Sequence, residues 1–156
     1  MNLRMRHIAL FVLACAISST ALANNGPSRA ALEKAKADVS GWYKEMIDQE
    51  KFLEQAYERK DIATLETESV RRMAKGMPGG DTLWRQDAYG PYLKCDTAYL
   101  DLGLLAGAMH HAAARPSDTL TRILDQERQD YANSKATCER RLKMSPQDAW
   151  REYDAR

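Results

Sequence analysis

The sequence predicts an all-α protein: an antiparallel four-helix bundle with a short extra C-terminal helix and one disulfide bond. Apolar residues recur at helical spacing along most of the chain. No stretch shows the strict apolar–polar alternation of a half-buried strand. Two cysteines, Cys95 and Cys138, lie at nearly equal distances from a predicted turn. Together these observations favour helices packed on helices.

The first 23 residues have the order of an export signal. Two arginines precede an apolar run at residues 8–17, and the small-residue triplet Ala21-Leu22-Ala23 follows it. This order is typical of a secretory signal peptide with an Ala-x-Ala cleavage site. The apolar run is also shorter than the ~20 residues that span a bilayer. We therefore expect residues 1–23 to be removed, and residues 24–156 to form a single periplasmic or secreted helical domain.

The charge of the exported chain is nearly balanced. The sequence holds 23 Lys and Arg against 22 Asp and Glu, so loss of Arg4 and Arg6 leaves a net charge of −1. Such a chain has no broad attraction to nucleic acid or to an anionic membrane surface. After the signal, no apolar run approaches membrane-spanning length. We expect neither a nucleic-acid partner nor a transmembrane segment.

A long first helix is predicted to follow Ser28, a residue type that caps helix N-termini well. Two registers with a seven-residue period then run across about 30 residues, the pattern of one amphipathic helix. Their members are Leu32, Ala35, Val39, Trp42, Met46, Gln49, Leu53 and Ala56. This stripe could face the chain's own bundle or a second copy, which leaves a homodimer open.

The middle of the chain contains the clearest breaks. Asp61 is a suitable cap for a second, shorter helix, and Lys75-Gly76 is a typical helix ending. Residues 77–80, Met-Pro-Gly-Gly, predict a loop. Asp81 caps a further short segment, which Gly90-Pro91 interrupts because proline disfavours helix at the preceding residue. Either a new helix starts near Pro91 or one long helix kinks there.

The last third predicts a buried core helix, a hairpin partner and a short final helix. Residues 100–114 are the most apolar segment of the exported chain. Arg115-Pro116 ends that helix, and Ser117 caps the next one. Ser145 is a natural N-cap for the final helix, with Pro146 at its first position.

Cys95 and Cys138 are predicted to form the disulfide bond. Cys95 lies 20 residues before Arg115 and Cys138 lies 22 after Pro116, so antiparallel helices place both about 30 Å from the turn. The third cysteine, Cys15, lies inside the signal. An even pair in an oxidising compartment favours a bond, which is worth ~3–4 kcal/mol for a loop of this length.

Aromatic residues gather around the Gly90-Pro91 break, with charged residues between them. This make-up is typical of a protein-binding surface. The competing interpretation is that Trp84 and Tyr99 belong to the core. We predict a contact surface for a partner protein centred on residues 77–92. Its candidate residues are Met77, Trp84, Arg85, Asp87, Tyr89 and Tyr92.

No catalytic set stands out in the sequence. A Gly-x-Ser-x-Gly elbow and a phosphate-binding glycine loop are both missing. Asp81 and Asp87 leave open a small cell-envelope hydrolase that uses carboxylates. His110 and His111 are adjacent and point ~100° apart on a helix, so no metal site is predicted.

Cofactor binding is not predicted either. No Cys-x-x-Cys-His attachment site for a c-type haem occurs. A bundle that carries a ligand, or a noncovalent haem between Met46 and His110, is the remaining alternative of this kind. We expect instead a non-catalytic protein-binding domain without a cofactor: an inhibitor, a toxin-immunity-type protein or a periplasmic adaptor.

Overall fold

The computed structural model describes residues 26–75 and 83–155, and for residues 72–75 the backbone alone. The predicted signal peptide lies outside these residues. Within them there are five α-helices of nine residues or more, one 3₁₀ helix and no strand. The helices are α1 (Arg29–Glu58), α2 (Ile62–Lys75), α3 (Leu93–Ala114), α4 (Asp118–Lys143) and α5 (Pro146–Asp154), with the 3₁₀ helix (Asp87–Tyr92) directly before α3. The predicted all-α class is confirmed.

Four helices begin at the residues that the sequence indicates. Each predicted cap accepts a hydrogen bond from the backbone N–H three residues later, at 3.1 to 3.3 Å. These caps are Ser28, Asp61, Ser117 and Ser145. The bonds satisfy N–H groups that lack a partner in the first turn of any helix, which is why helix starts could be predicted from local sequence.

The seven-residue stripe of α1 faces this chain's own core. Its buried members are Leu32, Ala35, Val39, Met46, Leu53 and Ala56. Most of the surface that could have paired α1 with a second copy is therefore used inside the molecule.

α3 and α4 form an antiparallel hairpin that a disulfide bond closes. The Cys95 and Cys138 sulfurs are bonded, and the two Cα atoms are 4.6 Å apart. The predicted disulfide is thus confirmed. α3 also contacts α1 and α2, so it has helices on several sides.

Hydrogen bonds and ion pairs also link α1 to α4. Glu50 accepts from Lys135 at 2.6 Å, and Glu54 accepts from Arg128 at 2.9 Å. Earlier in α1, the Lys36 ammonium donates to the backbone carbonyl of Met144 at 2.7 Å. Higher numbers on α1 meet lower numbers after residue 117, so the two helices run antiparallel. The four-helix bundle as the arrangement of α1 to α4 stays a prediction.

The core divides into two clusters. The disulfide-end cluster contains Leu32, Ala35, Val39, Ala88, Tyr89, Tyr92, Cys95, Cys138 and Ala149. The far-end cluster is larger and includes Met46, Leu53, Leu65, Leu102, Leu105, Met109, Leu124 and Tyr131. Tyr43 packs against both, so the two clusters adjoin along α1.

α5 covers the disulfide end. Its Glu152 forms an ion pair with Arg141 at 2.7 Å, and the Arg141 side chain is only 3% exposed. Arg141 also donates to the Ala149 carbonyl at 3.4 Å. A buried guanidinium needs such partners because an unpaired buried charge is costly. The short helix is therefore anchored by a charge pair.

The outer face of α3 departs from the prediction of a buried core helix. Leu100 and Leu104 are each 52% exposed, and Leu93 is 39% exposed. The opposite face, with Leu102, Leu105 and Met109, is buried. An apolar sequence on all sides of a helix suggests burial on all sides, and here that suggestion holds for one face only. No helix in the described ranges has the length and apolar content needed to cross a bilayer.

Candidate functional site

The segment around the Gly90-Pro91 break folds as the 3₁₀ helix. Residues three apart share a face in a 3₁₀ helix, so Tyr89 and Tyr92 both turn inward and are 3% and 0% exposed. Gly90 lies against α5, because a Cβ at this position would be 2.6 Å from the ring of Tyr153. The Gly90-Pro91 segment is thus part of a 3₁₀ helix that packs beneath α5.

Three aromatic rings meet beside this element. The centroid of Trp42 is 5.8 Å from that of Trp84 and 6.3 Å from that of Tyr89. Trp84 and Tyr89 meet edge to face at 5.9 Å. The Trp42 and Tyr89 rings are stacked, and stacked and edge-to-face arrangements are the preferred geometries of aromatic pairs. The rings therefore brace one another across α1 and the segment before α3.

A partly exposed carboxylate, Asp38, holds the Tyr89 end of this ring cluster. The Tyr89 hydroxyl donates to Asp38 Oδ2 at 2.5 Å, and the Lys34 ammonium donates to the same oxygen at 2.5 Å. The bond from Lys34, then that from Tyr89, holds the pKa of Asp38 below its usual value. The pKa of Tyr89 is raised, first by burial and then by its bond to Asp38. Asp38 is thus a charged acceptor and Tyr89 a neutral donor.

The outer end of the ring cluster reaches the surface at Trp84. This side chain is half-buried, and its indole Nε1 is buried without a hydrogen-bond partner among the described residues. Arg85 and Asp87, which follow it in the chain, are both exposed. A braced aromatic ring with charged side chains at its border is the usual make-up of an interface anchor.

A small apolar cleft adjoins the same rings. Its walls are Val39, Trp42, Tyr43, Met46, Cys95 and Tyr99, and it encloses about 10 Å³. That volume admits little more than one water-sized group. Trp42 belongs to both the cleft and the ring cluster. We call the half-buried rings of Trp42, Tyr43, Trp84 and Tyr99 the aromatic surface.

The predicted contact residues divide into three groups. Trp84, Arg85 and Asp87 lie at the surface as a contact site requires. Tyr89 and Tyr92 are buried, so their side chains are not available to a partner in this conformation. Met77 lies outside the described residues.

Sequence reasoning missed Trp42 and Tyr43 as members of the surface. Trp42 occupied a core position of the α1 stripe, and it does pack against the disulfide-end cluster while remaining half-exposed. Two adjacent aromatic residues, which point ~100° apart on a helix, were the available signal. At least one of such a pair must lean away from the helix's core-facing line.

Burial of the Tyr92 side chain leaves its hydroxyl in an unfavourable environment. Its hydroxyl has no hydrogen-bond partner among the described residues, and burial raises its pKa to about 12, although the charge of Arg141 lowers it in part. A buried hydroxyl without a partner destabilises the fold. Tyr92 therefore contributes to the core through its buried ring and not through its hydroxyl.

The alternatives that involve catalysis or a cofactor depend on two pairs of residues, Asp81 with Asp87 and Met46 with His110. Asp87 is exposed, and its proposed companion Asp81 lies outside the described residues. Met46 lines the same cleft as Tyr99. His110 follows Tyr99 by 11 residues on α3, which is about 16 Å along the helix. Met46 also belongs to the far-end cluster that contains Met109, so the noncovalent haem between Met46 and His110 stays an alternative prediction.

The two histidines lie at the last turns of α3. Their ring centroids are 5.1 Å apart, and His110 is half-buried while His111 is exposed. No group of three or more His, Cys, Asp or Glu side chains in residues 26–75 and 83–155 is placed to hold a metal ion.

Comparison with protein-family models, with curated proteins and with solved structures gives no match to this chain.

Proposed function

We propose that this chain is an exported, non-catalytic protein-binding domain that contacts its partner through the aromatic surface. In this proposal residues 1–23 are a cleaved signal peptide and residues 24–156 are the mature domain. The domain is an antiparallel four-helix bundle with α5 added, and it acts in the periplasm or as a secreted protein. The disulfide bond supports that compartment because such bonds persist mainly in oxidising environments.

The observation that carries the proposal is the bracing of Trp84. Its ring contacts Trp42 and Tyr89, and Tyr89 is held in turn by Asp38. A ring fixed in this way loses little side-chain freedom when a partner covers it. Large aromatic side chains with charged neighbours contribute most strongly to protein–protein binding. Trp84 is therefore the anchor of the proposed interface.

The proposed role is that of an inhibitor or a toxin-immunity-type protein, with a periplasmic adaptor as the related alternative. These classes share one requirement, which is a small rigid domain that presents a preformed surface to one partner. A domain with a disulfide across its hairpin and ring-on-ring packing at its surface suits that requirement because preorganisation lowers the cost of binding.

Site-specific photo-cross-linking tests this proposal. A photoreactive amino acid at exposed Arg85 should give one cross-linked protein in cell-envelope or culture fractions, identified by mass spectrometry. The matched control is the same amino acid at Arg122, an exposed residue of α4, which should not cross-link to that protein.

The affinity of the purified pair then checks the anchor. Trp84→Ala should weaken binding by about 30-fold, the equivalent of about 2 kcal/mol. Phe52→Ala, which removes an exposed aromatic side chain of α1, should leave the affinity unchanged. The same product from both cross-linking positions, or unchanged affinity in a folded Trp84→Ala variant, would contradict the proposed surface.

A further inference from the structure

The exposed face of α3 has the spacing of a helix-pairing seam. Leu93, Thr97, Leu100 and Leu104 follow one another at intervals of four, three and four residues. That is the heptad spacing by which two helices pack side by side. The three leucines are 39%, 52% and 52% exposed. We call these four residues the α3 seam; it lies on the side of α3 opposite the core.

Charged residues beside the seam are unequally distributed along it. A groove of about 430 Å³ between α3 and α4 has Lys94, Asp101, Glu127 and Asp130 in its walls. Lys94 and Asp101 are seven residues apart, which places them about 10 Å apart along one edge of α3. Since Cys95 is bonded to Cys138 and the helices run antiparallel, Glu127 and Asp130 lie level with the Asp101 end. The groove is acidic at one end and has its cation at the other.

These charges are not neutralised within the described chain. Lys94, Asp101 and Glu127 form no ion pair with any described residue. Burial raises the pKa of Glu127, and the nearby charges of Asp130 and Asp101 raise it further, as expected for crowded carboxylates. An added cation at this end would relieve the repulsion.

We propose that two copies of this chain pair through the α3 seam, with their α3 helices antiparallel about a twofold axis between Thr97 and Leu100. Leu93 of each copy then meets Leu104 of the second copy. Lys94 of each copy comes within one helical turn of Asp101 of the second copy. A twofold interface needs a surface that is complementary to itself, and a groove with opposite charges at its two ends meets that need.

The charge pattern also selects the direction of pairing. Parallel α3 helices would place the Lys94–Asp101 edges of the two copies on opposite sides of the seam, where Lys94 of one copy does not reach Asp101 of the second. Antiparallel helices pair each cation with the opposite acidic end. The pairing does not depend on the aromatic surface, so it stands or falls independently of the proposed function.

Sedimentation equilibrium of the purified protein measures this association. The seam is about 17 Å long, a short contact, so we expect a dissociation constant in the micromolar range and a dimer mass at the highest concentrations. Leu100→Lys should weaken the dimer by at least 10-fold, because the twofold axis introduces the change twice. Phe52→Lys, at an exposed residue of α1 with similar exposure, should have no effect.

A charge exchange tests the antiparallel direction. Lys94→Asp and Asp101→Lys should each weaken the dimer by about 10-fold, and the double variant should recover part of that loss, because the opposite charges at positions 94 and 101 meet again while Glu127 and Asp130 stay acidic. All of these positions lie at the surface of α3, and circular dichroism with thermal melting checks that each variant folds. A monomer at every concentration, a dimer that Leu100→Lys leaves unchanged, or a double variant as weak as the singles would overturn the proposal.

Discussion

Tyr89 and Tyr92 belong to one 3₁₀ helix and are both buried, but their hydroxyl groups have opposite surroundings. Tyr89 donates to the charged carboxylate of Asp38 at 2.5 Å. The Tyr92 hydroxyl has no partner among the described residues. A hydrogen bond to a charged group stabilises a fold, whereas a buried polar group without a partner costs free energy. The same substitution at the two positions should therefore have different effects.

We expect Tyr89→Phe to lower the free energy of unfolding by about 1.5–3 kcal/mol, because Asp38 loses a charge-assisted bond. Tyr92→Phe should leave it unchanged or raise it by about 1 kcal/mol. Urea denaturation of both variants and the parent at pH 7 measures the difference. A loss at Tyr92→Phe as large as that at Tyr89→Phe would show that the Tyr92 hydroxyl has a stabilising partner.

The alkaline pH dependence gives a second readout of the same variant. Burial raises the pKa of Tyr92 from 10.0 to about 12, so the neutral form is favoured in the folded chain. The contribution of Tyr92 is fully present below pH 10.0 and is lost as the pH rises toward about 12. The fall in unfolding free energy over this interval should be smaller in Tyr92→Phe than in the parent.

These tyrosines also show which features could be predicted from a residue and its near neighbours in the sequence. Ser28, Asp61, Ser117 and Ser145 were predictable as caps because a cap depends only on residues within one turn. The burial of Tyr89 and Tyr92 was not predictable in this way. It depends on the three-residue period of a 3₁₀ helix, and the Gly90-Pro91 break left the local period undetermined.

At the scale of elements, Gly41 and Gly90 differ in the space that surrounds them. Gly41 lies within α1, and a Cβ built there meets no atom within 4 Å. Gly90 lies in the 3₁₀ helix, where a Cβ would be 2.6 Å from the Tyr153 ring of α5. A larger side chain therefore has room at Gly41 in α1 but not at Gly90, where the 3₁₀ helix contacts α5.

We expect Gly41→Ala to raise the free energy of unfolding by up to about 1 kcal/mol, because alanine favours helix over glycine. Gly90→Ala should lower it by about 1–3 kcal/mol, because the methyl group must displace Tyr153 and with it the contact to α5. Thermal and urea unfolding of the two variants measures both effects. A stabilising Gly90→Ala would mean that Tyr153 moves aside freely.

The number and bounds of the helices followed from sequence more readily than their faces. The α1 stripe identified the buried side correctly because polar residues mark the opposite side. α3 lacks such a contrast, since apolar residues surround it, and no pattern distinguished the buried Leu102 and Leu105 from the exposed Leu100 and Leu104. Only the position of neighbouring helices decides which leucines remain at the surface.

At the scale of the whole molecule, the disulfide joins residues that are 43 apart in sequence. In the chain-entropy model a loop of this length gives about 4 kcal/mol of stability. The bond lies between the two helices of the hairpin, next to the contacts that hold α5. Its effect should therefore extend to the entire fold.

We expect the double variant Cys95→Ala/Cys138→Ala to lose about 4 kcal/mol of unfolding free energy. Reduction of the parent protein should produce a similar loss, and the same reductant should not affect the double variant. Urea denaturation with and without reductant measures all three. Two thiols that react with an alkylating reagent in the unreduced, denatured protein would contradict the bond itself.

The relative placement of the helices was the least predictable feature at this scale. The α3–α4 hairpin could be inferred because two cysteines flank one turn symmetrically. The contact of α1 with α4 rests on pairs such as Glu50 with Lys135 and Glu54 with Arg128. Each partner also has suitable opposite charges within its own helix, so sequence alone does not select the distant pair.

The distribution of the tryptophans has a consequence for spectroscopy. The chain has three, and Trp42, Trp84 and Trp150 all pack against the disulfide-end cluster. Tryptophan fluorescence, excited at wavelengths where tyrosine does not absorb, therefore reports on one half of the molecule and does not detect melting around Leu65 or Met109. Far-ultraviolet circular dichroism observes every helix. Coincidence of the two signals during denaturation would mean that both halves unfold as one cooperative unit.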